Sequence, residues 1–485
     1  MSEQVGAIIE AGLDDWQIVQ QDEQGVGTVD LKGRWVGAPD CEVEIRVAAA
    51  DTGVSVVDWR AADVHKNGTW TAALSVPAGG LYRLETRLRA PANAAGEWSP
   101  RGDMRHFWGV GDLWVIAGQS NSAGYGRGPY EDPPEIGVHL FRNSETWALA
   151  SHPMNESTQT QHPVNREGGN PGHSPYLQFG RLLQRALHYP IGLVQTSLGG
   201  SPLARWNPRE EGPADLFDNM VQCVQKVGGA RGVLWYQGET DAGNQADADT
   251  YAERFGDAVA AWREALSDAH LPVLTVQLNR VYGRDETSPN AWWTQVRQAQ
   301  RRVAQTTDNV AVVPTLDLPL SDGIHTSPAG NMLLGERLAR AALDAVYSCG
   351  PDHRAPDIER AERTEDGRIV LHFANVQSRM DSIDENANCF RVEDDEGEVG
   401  VKAVHRPMDA TLALVLSRPL VGGARVHAGA AAPWMILFVS ETRGGVSALA
   451  RRSACPHRAW ALASTWESCG CFSLYVLAPC WIRFV

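Results

Sequence analysis

The sequence predicts an α/β fold: a parallel five-stranded sheet covered on both faces, with β regions before and after it. Three observations predict it. Between residues 108 and 348, short strand-like runs alternate with helical patterns, as in chained β–α–β units. Most of those runs are apolar throughout rather than alternating, as burial on both faces requires. On either side, residues 1–107 and 349–428 carry short period-two segments separated by turn residues.

The N-terminal region, 1–107, reads as a small antiparallel β-sandwich. Val43–Val47 alternates, and Trp70–Val76 alternates in part. The turn-like Pro77-Ala78-Gly79-Gly80 leads into Leu81–Leu88, largely of period two. Nothing in it looks catalytic, so packing or carbohydrate contact is its default role. In 108–348 the first strand is Leu113–Ala117, followed by Ile191–Thr196, Gly232–Tyr236, Val273–Leu278 and Val310–Pro314. Helices are expected at about Pro175–Tyr189, Asp249–Ser267 and Ala329–Tyr347. The middle one sets Tyr251, Phe255, Val259, Trp262 and Leu266 at three- and four-residue steps. Residues 349–428 return to β at Arg368–Phe373, Phe390–Val392 and Thr411–Leu416, with Asp394-Asp395-Glu396-Gly397 as a turn.

Residues 429–485 form an atypical tail. Their only acidic residues are Glu441 and Glu467, yet they hold Cys455, Cys469, Cys471 and Cys480, half of the cysteines of the chain. Cys455-Pro456-His457 with Cys469-Gly470-Cys471 fits no standard zinc spacing. The expectation is a segment that is out of frame or unstructured, with a frameshift near residue 428 or an erroneous terminus as its origin. Sequencing the coding DNA tests this; an intact reading frame to the end contradicts it.

Bulk properties narrow the function. A length of 485 residues suggests two to four domains. The net charge of −16 (43 basic minus 59 acidic residues) argues against nucleic acid or an anionic membrane surface as partner. No apolar run reaches the roughly 18–20 residues of a membrane span, and the first residues lack the charged and apolar segments of a secretory signal. Cys41, Cys223, Cys349 and Cys389 are scattered singly, as in a reducing compartment. The expectation is a cytoplasmic protein.

Four clusters carry the chemistry, each at or just after the end of an expected strand: Gly118-Gln119-Ser120-Asn121; Thr196-Ser197-Leu198-Gly199-Gly200-Ser201; Trp235-Tyr236-Gln237-Gly238-Glu239-Thr240-Asp241; and Ser321-Asp322-Gly323-Ile324-His325-Thr326-Ser327-Pro328. Open α/β sheets hold their active sites at that edge. A serine hydroxyl needs a base, and His325, on a loop before a Pro and a helix, is the candidate. Asp322, three residues earlier, is placed to accept the other ring N–H and fix the tautomer. The Ser120 N–H, an N–H of Gly199 or Gly200 and the Gln237 amide form a candidate oxyanion hole. The Gly-x-Ser-x-Gly elbow of α/β-hydrolases does not fit, because Ser122 stands at the position of its last glycine.

These clusters resemble blocks I, II, III and V of the SGNH hydrolases. The forms Gly-Gln-Ser-Asn, Gln-Gly-Glu-Thr-Asp and Asp-Gly-Ile-His resemble the sialate O-acetylesterase and carbohydrate esterase family 6 branch. The resemblance covers about 110 to 345. The segments Gly68-Thr69-Trp70, Ala78–Tyr82 and Val110–Trp114 also resemble the N-terminal domain of sialate O-acetylesterases. The resemblance implies a flavodoxin-like three-layer fold, no metal or other cofactor, and deacetylation through an acyl-enzyme. It makes Ser120 the nucleophile, His325 the base and Asp322 its partner, with Gly199 or Gly200 and Gln237 lining the oxyanion hole. Glu239 competes with Asp322 for His325 in some relatives. Otherwise Glu239 reads as a buried network carboxylate.

Outside the clusters, His173, Arg205 and Trp206 are candidate substrate contacts, set against plainer roles as a helix-entry residue, a solvated charge and a core aromatic. His152 and His162, each followed by Pro, read as loop residues rather than as a metal pair. The reading is a serine esterase acting on O-acetyl esters of a sugar or glycan. The alternatives are an acetylxylan-type or broad small-ester esterase, and a non-catalytic carbohydrate-binding protein on an inactive hydrolase fold.

Overall fold

The computed structural model describes the chain apart from residues 1–4, 38–40, 66, 90–100, 283–288, 378–379, 381–389, 429–437, 440–473, 476–479 and 485. Its early strands are β1 (Gly6–Ala11), β2 (Ile18–Gln20), β3 (Val26–Val36), β4 (Glu42–Ala49), β5 (Ser55–Ala61), β6 (Asp63–Val64), β7 (Thr69–Pro77), β8 (Gly79–Arg89) and β9 (Arg101–Gly118). One antiparallel sheet has the order β1-β3-β7-β6, and β5, β4, β8 and the first half of β9 form the facing one. Val29, Leu31, Val43, Ile45, Trp70, Leu84 and Trp108 fill the space between.

Strand β9 is the spine of the molecule. Its first half pairs antiparallel with β8, and its second half pairs parallel with β12 (Ile191–Gln195) and β13 (Gly232–Tyr236), after β10 (Val138–Phe141) and β11 (Trp147–Leu149) in the chain. The boundary expected at 107/108 therefore falls inside one strand. Gly111 permits the crossing: a Cβ there would lie 1.8 Å from the carbonyl oxygen of Pro190.

The five expected strands are all present. With β14 (Val273–Val276) and β15 (Val310–Val313), the order β12-β9-β13-β14-β15 is parallel throughout. In the chain order of these five, that is the 2-1-3-4-5 flavodoxin-like arrangement. The sheet as a whole is mixed rather than simply five-stranded and parallel, which corrects the expectation. β10 extends it in parallel, β11 closes the edge antiparallel, and β9 carries it into the N-terminal strands, eleven in all. β10 has only four residues, all buried, too few to show a period.

The helices are α1 (Ser120–Ala123), α2 (Tyr176–Leu187), α3 (Asp215–Val227), α4 (Gln245–Ala265), α5 (Pro289–Thr306) and α6 (Pro328–Ala345). Two tryptophans on neighbouring strands mark the two faces. Trp114 meets Phe179 of α2 edge-on and donates its indole N–H to Tyr347 just beyond α6 at 3.2 Å. Trp235, paired in register with Ala117 and so on the opposite face, packs against Phe255 and Trp262 of α4.

The C-terminal β region contains β16 (Asp357–Arg363), β17 (Ile369–Ala374), β18 (Phe390–Asp394), β19 (Gly397–Val399), β20 (Val401–His405), β21 (Thr411–Leu416) and β22 (Ala424–Ala428). They form two antiparallel sheets over a core of Ile369, Leu371, Val392, Leu414 and Val426. Of the tail, the described backbone comprises Phe438–Val439, Leu474–Tyr475 and Cys480–Phe484, the last antiparallel to β22. Cys455, His457, Cys469 and Cys471 lie outside the described residues.

Candidate active site

Ser120 stands where β9 ends, at the carboxyl edge of the sheet and the first residue of α1. Gly118 makes the exit possible. Its φ is +124°, and a Cβ there would lie 2.2 Å from the Tyr236 carbonyl oxygen. The next amide, Gln119 N–H, donates to that same oxygen at 2.9 Å. The Gln119 side chain points to the third cluster and accepts from the Thr240 N–H at 3.1 Å.

His325 arrives from a short loop closed on itself, with Ser321 N–H donating to His325 O at 2.8 Å. The loop ends where Ser327 caps α6, accepting from Gly330 N–H at 3.2 Å, and Pro328 takes the first helical position. His325 Nε2 is 2.9 Å from Ser120 Oγ, and His325 Nδ1 is 2.7 Å from Asp322 Oδ2. Asp322 Oδ1 accepts the backbone N–H groups of Ile324 at 2.9 Å and His325 at 2.8 Å. Burial works against the ionised Asp322, but these hydrogen bonds outweigh it and hold the carboxyl below its usual range. With the Nδ1 proton facing Asp322, Nε2 is free to act as a base toward the serine.

Asn121, which sequence reasoning did not single out, fastens the two halves together. Its Nδ2 donates to Ile324 O at 3.1 Å and its Oδ1 accepts Thr326 N–H at 2.9 Å, so one amide grips the backbone on both sides of His325. The same Nδ2 donates to Glu239 Oε1 at 2.6 Å. Glu239 is buried, and burial, reinforced by Asp241 and opposed by Asn121, raises its pKa to about 7. Glu239 thus supports Asn121, while Asp322 meets His325. The signal was present in Gly-Gln-Ser-Asn, where the asparagine directly follows Ser120.

Several expected residues have other partners. Gln237 is fully buried, and both its amide hydrogens are taken: Nε2 donates to Asp241 Oδ2 at 2.6 Å and lies 3.2 Å from Ser201 O and 3.3 Å from Gln119 Oε1. Its oxygen accepts from Tyr251 OH at 2.8 Å. This corrects its assignment to the oxyanion hole, since a spent NH2 has no hydrogen left for a substrate anion. Trp206 is also fully buried, donating to Ser201 Oγ at 3.1 Å, so it is a core aromatic rather than a sugar platform. Arg205 forms a two-pronged ion pair with Asp215, both contacts at 2.8 Å, and also donates to Val164 O.

Of the block II glycines, Gly200 has a φ of +66° and open space where a Cβ would stand. The Gly199 N–H donates to Glu167 Oε1. Glu167 Oε2 accepts from Tyr125 OH at 2.6 Å, and the Tyr125 ring lies 5.2 Å from the His325 ring.

His173 is buried in a hub, away from the role of substrate contact. Its Nε2 is 3.2 Å from Asp132 Oδ2, which also meets His152 Nε2 at 3.0 Å, while Arg181 donates to Asp132 Oδ1 at 2.7 Å. The ligating atoms of Asp132, His152 and His173 lie within 4.8 Å of one another, as a metal would require. A metal-bound imidazole gives up its Nε2 lone pair and donates Nδ1–H to an acceptor. Here both Nδ1 atoms are buried with no partner among the described residues, and Arg181 already balances the Asp132 charge. The set fits a hydrogen-bonded hub better than a cation site.

The chain is similar to known carbohydrate esterases. Residues 110–344 match the family described as carbohydrate esterase, sialic acid-specific acetylesterase. The chain is 29% identical over 255 residues to a probable carbohydrate esterase of Arabidopsis thaliana, covering 48% of this chain and 90% of that protein. It is 25% identical over 215 residues to the sialate O-acetylesterase of Rattus norvegicus, covering 32% of this chain and 39% of that protein. The chain thus spans about two fifths of that relative's length. A carbohydrate acetylesterase structure from Xanthomonas citri shares the fold, with a TM-score of 0.56, 21% identity, and coverage of 86% of this chain and 92% of that one. The α/β region is that of a carboxylic ester hydrolase of the SGNH type. Within that class, residues 110–344 match the carbohydrate esterase branch described as sialic acid-specific acetylesterase.

Proposed function

We propose that this protein hydrolyses O-acetyl esters of a sugar through a Ser-His-Asp acyl-enzyme cycle. The observation that carries the reading is the line Ser120 Oγ, His325 Nε2, His325 Nδ1, Asp322 Oδ2, with separations of 2.9 and 2.7 Å at its two hydrogen bonds. Ser120 attacks the ester carbonyl as His325 takes its proton. The tetrahedral anion rests on the N–H groups of Ser120 and of Gly199 or Gly200. His325 then protonates the leaving sugar hydroxyl, and water repeats the cycle on the acetyl-serine. Asp322 stays ionised and keeps the imidazole in the required tautomer.

Acetate release from acetylated sialic acids and from acetylated xylo-oligosaccharides, measured for wild type and Ser120→Ala, tests this. Release from at least one substrate, lost in Ser120→Ala, is expected. Equal release by both proteins refutes the mechanism, and binding of the sugars without turnover favours a carbohydrate-binding role.

A further inference from the structure

A carboxylate already sits on one of the expected oxyanion donors. Glu167 Oε1 accepts the Gly199 N–H, and a Cβ at Gly199 would lie 2.7 Å from that oxygen and 3.0 Å from the Tyr125 hydroxyl. The placement is built from two sides. Tyr125 OH holds the other carboxylate oxygen at 2.6 Å, and Tyr125 N–H donates to Ser120 O at 3.1 Å, so the holder of Glu167 is tied to the nucleophile's own backbone. The block II chain is fixed in turn by Leu198 N–H donating to Gly118 O at 3.0 Å. The segment carrying Glu167 is anchored at Val164 O by Arg205 at 3.0 Å, and at Thr158 by Asn170 Oδ1, which accepts the Thr158 N–H at 3.0 Å.

An oxyanion donor is useful because it is aimed at charge that develops only in the transition state. A carboxylate on that donor supplies an anion before any substrate arrives. It competes for the N–H, and it repels the oxyanion if both are present. We propose that Glu167 is a displaceable occupant of the Gly199 donor: the ester carbonyl must take this N–H from the carboxylate, and Tyr125 retains the carboxylate beside the site when it yields. Glu167 is then a specificity-determining residue. It favours acyl groups that reach Gly199 with enough remote binding energy to displace it, and it disfavours free carboxylates, including the product acetate. Arg205, paired with Asp215, acts through the segment that delivers Glu167 and not on substrate.

This inference rests on the esterase reading, and the experiment separates the two. Hydrolysis of p-nitrophenyl acetate is measured for wild type, Ser120→Ala, Glu167→Gln and Glu167→Ala, with sodium acetate as competitor and thermal melting as a check on folding. Wild-type turnover lost in Ser120→Ala secures the esterase reading; without it, that reading fails first. Given turnover, Glu167→Ala is expected to raise kcat/KM by roughly 3- to 10-fold, a fraction of what one oxyanion donor contributes, and to bind acetate correspondingly more tightly. Glu167→Gln, which keeps the shape and removes the charge, is expected to raise kcat/KM for this ester as well. A fall in kcat/KM in both variants at unchanged melting temperature overturns the proposal, because Glu167 would then hold Gly199 in place. Unchanged acetate inhibition in Glu167→Ala overturns it too.

Discussion

Asn121 holds His325 in place through the backbone on either side of it. The asparagine amide bonds to Ile324 O at 3.1 Å and to Thr326 N–H at 2.9 Å, the two peptide groups on either side of the base. The residue after Ser120 thereby fixes the backbone of His325, which lies 205 residues further along the chain.

Asn121→Ala is therefore expected to lower kcat by roughly 100-fold, the scale of a misplacement of about 1 Å at a catalytic group. KM should change little, because the side chain faces the His325 loop and Glu239. Steady-state kinetics with a thermal melt on the same preparation checks this. A kcat within threefold of wild type in a folded variant contradicts it.

Asp322→Ala removes the acceptor that fixes the His325 tautomer, and a loss of roughly 10³- to 10⁴-fold in kcat is expected. Glu239→Gln should retain most activity, since an amide oxygen still accepts from Asn121. The pair of variants discriminates between the two carboxylates. A larger loss in Glu239→Gln than in Asp322→Ala would assign the orienting role to Glu239.

Glu239 also predicts a pH dependence of stability. Its pKa is raised from 4.5 to about 7 in the folded protein, chiefly by burial. Between these values the unfolded chain has lost the proton and the folded one keeps it, so the unfolded state binds fewer protons. Stability contributed by this group is therefore full below pH 4.5, falls as pH rises to about 7, and is flat above that. The slope approaches about 1.4 kcal/mol per pH unit within the window. Chemical denaturation of wild type and Glu239→Gln across this range should show a stability difference that shifts in favour of the variant as pH rises. A pH-independent difference would contradict the assignment.

Trp206 offers a test of core against substrate contact. It is fully buried, and its carbonyl accepts the Trp262 indole N–H at 2.8 Å. Trp206→Ala should cost about 3–5 kcal/mol of stability, as for other large-to-small core changes, while Trp206→Phe keeps KM for a sugar ester near wild type. A selective rise in KM in the phenylalanine variant would restore the sugar-stacking role.

The sequence carried the parallel strands and the Asp322–His325 loop because each has a local signature. An apolar run ending at Gly118 and an Asp-x-x-His before Ser327-Pro328 need no knowledge of the rest of the chain. What was not legible depends on distant partners. β10 is too short to show a period, and α5 buries Arg297, Gln298 and Gln300, so its apolar stripe is broken. Gln237 has the right position for an oxyanion donor, and only the three-dimensional neighbours Asp241, Ser201 and Gln119 reveal that its hydrogens are spent. Arg205 and Trp206 follow block II in sequence, but the 3-10 turn Leu203–Trp206 directs them to Asp215 and the core. The division drawn at 107/108 followed a change in composition, whereas β9 runs through it as one strand.

The central claim is that Ser120 is a nucleophile activated by His325. Labelling with a fluorophosphonate, followed by peptide mapping by mass spectrometry, tests it most directly, because the reagent reacts with an activated serine and leaves a stable adduct. The adduct is predicted on Ser120 in wild type, with labelling strongly slowed in His325→Ala. An adduct on another serine, or equal labelling of Ser120 in wild type and His325→Ala, would contradict the account.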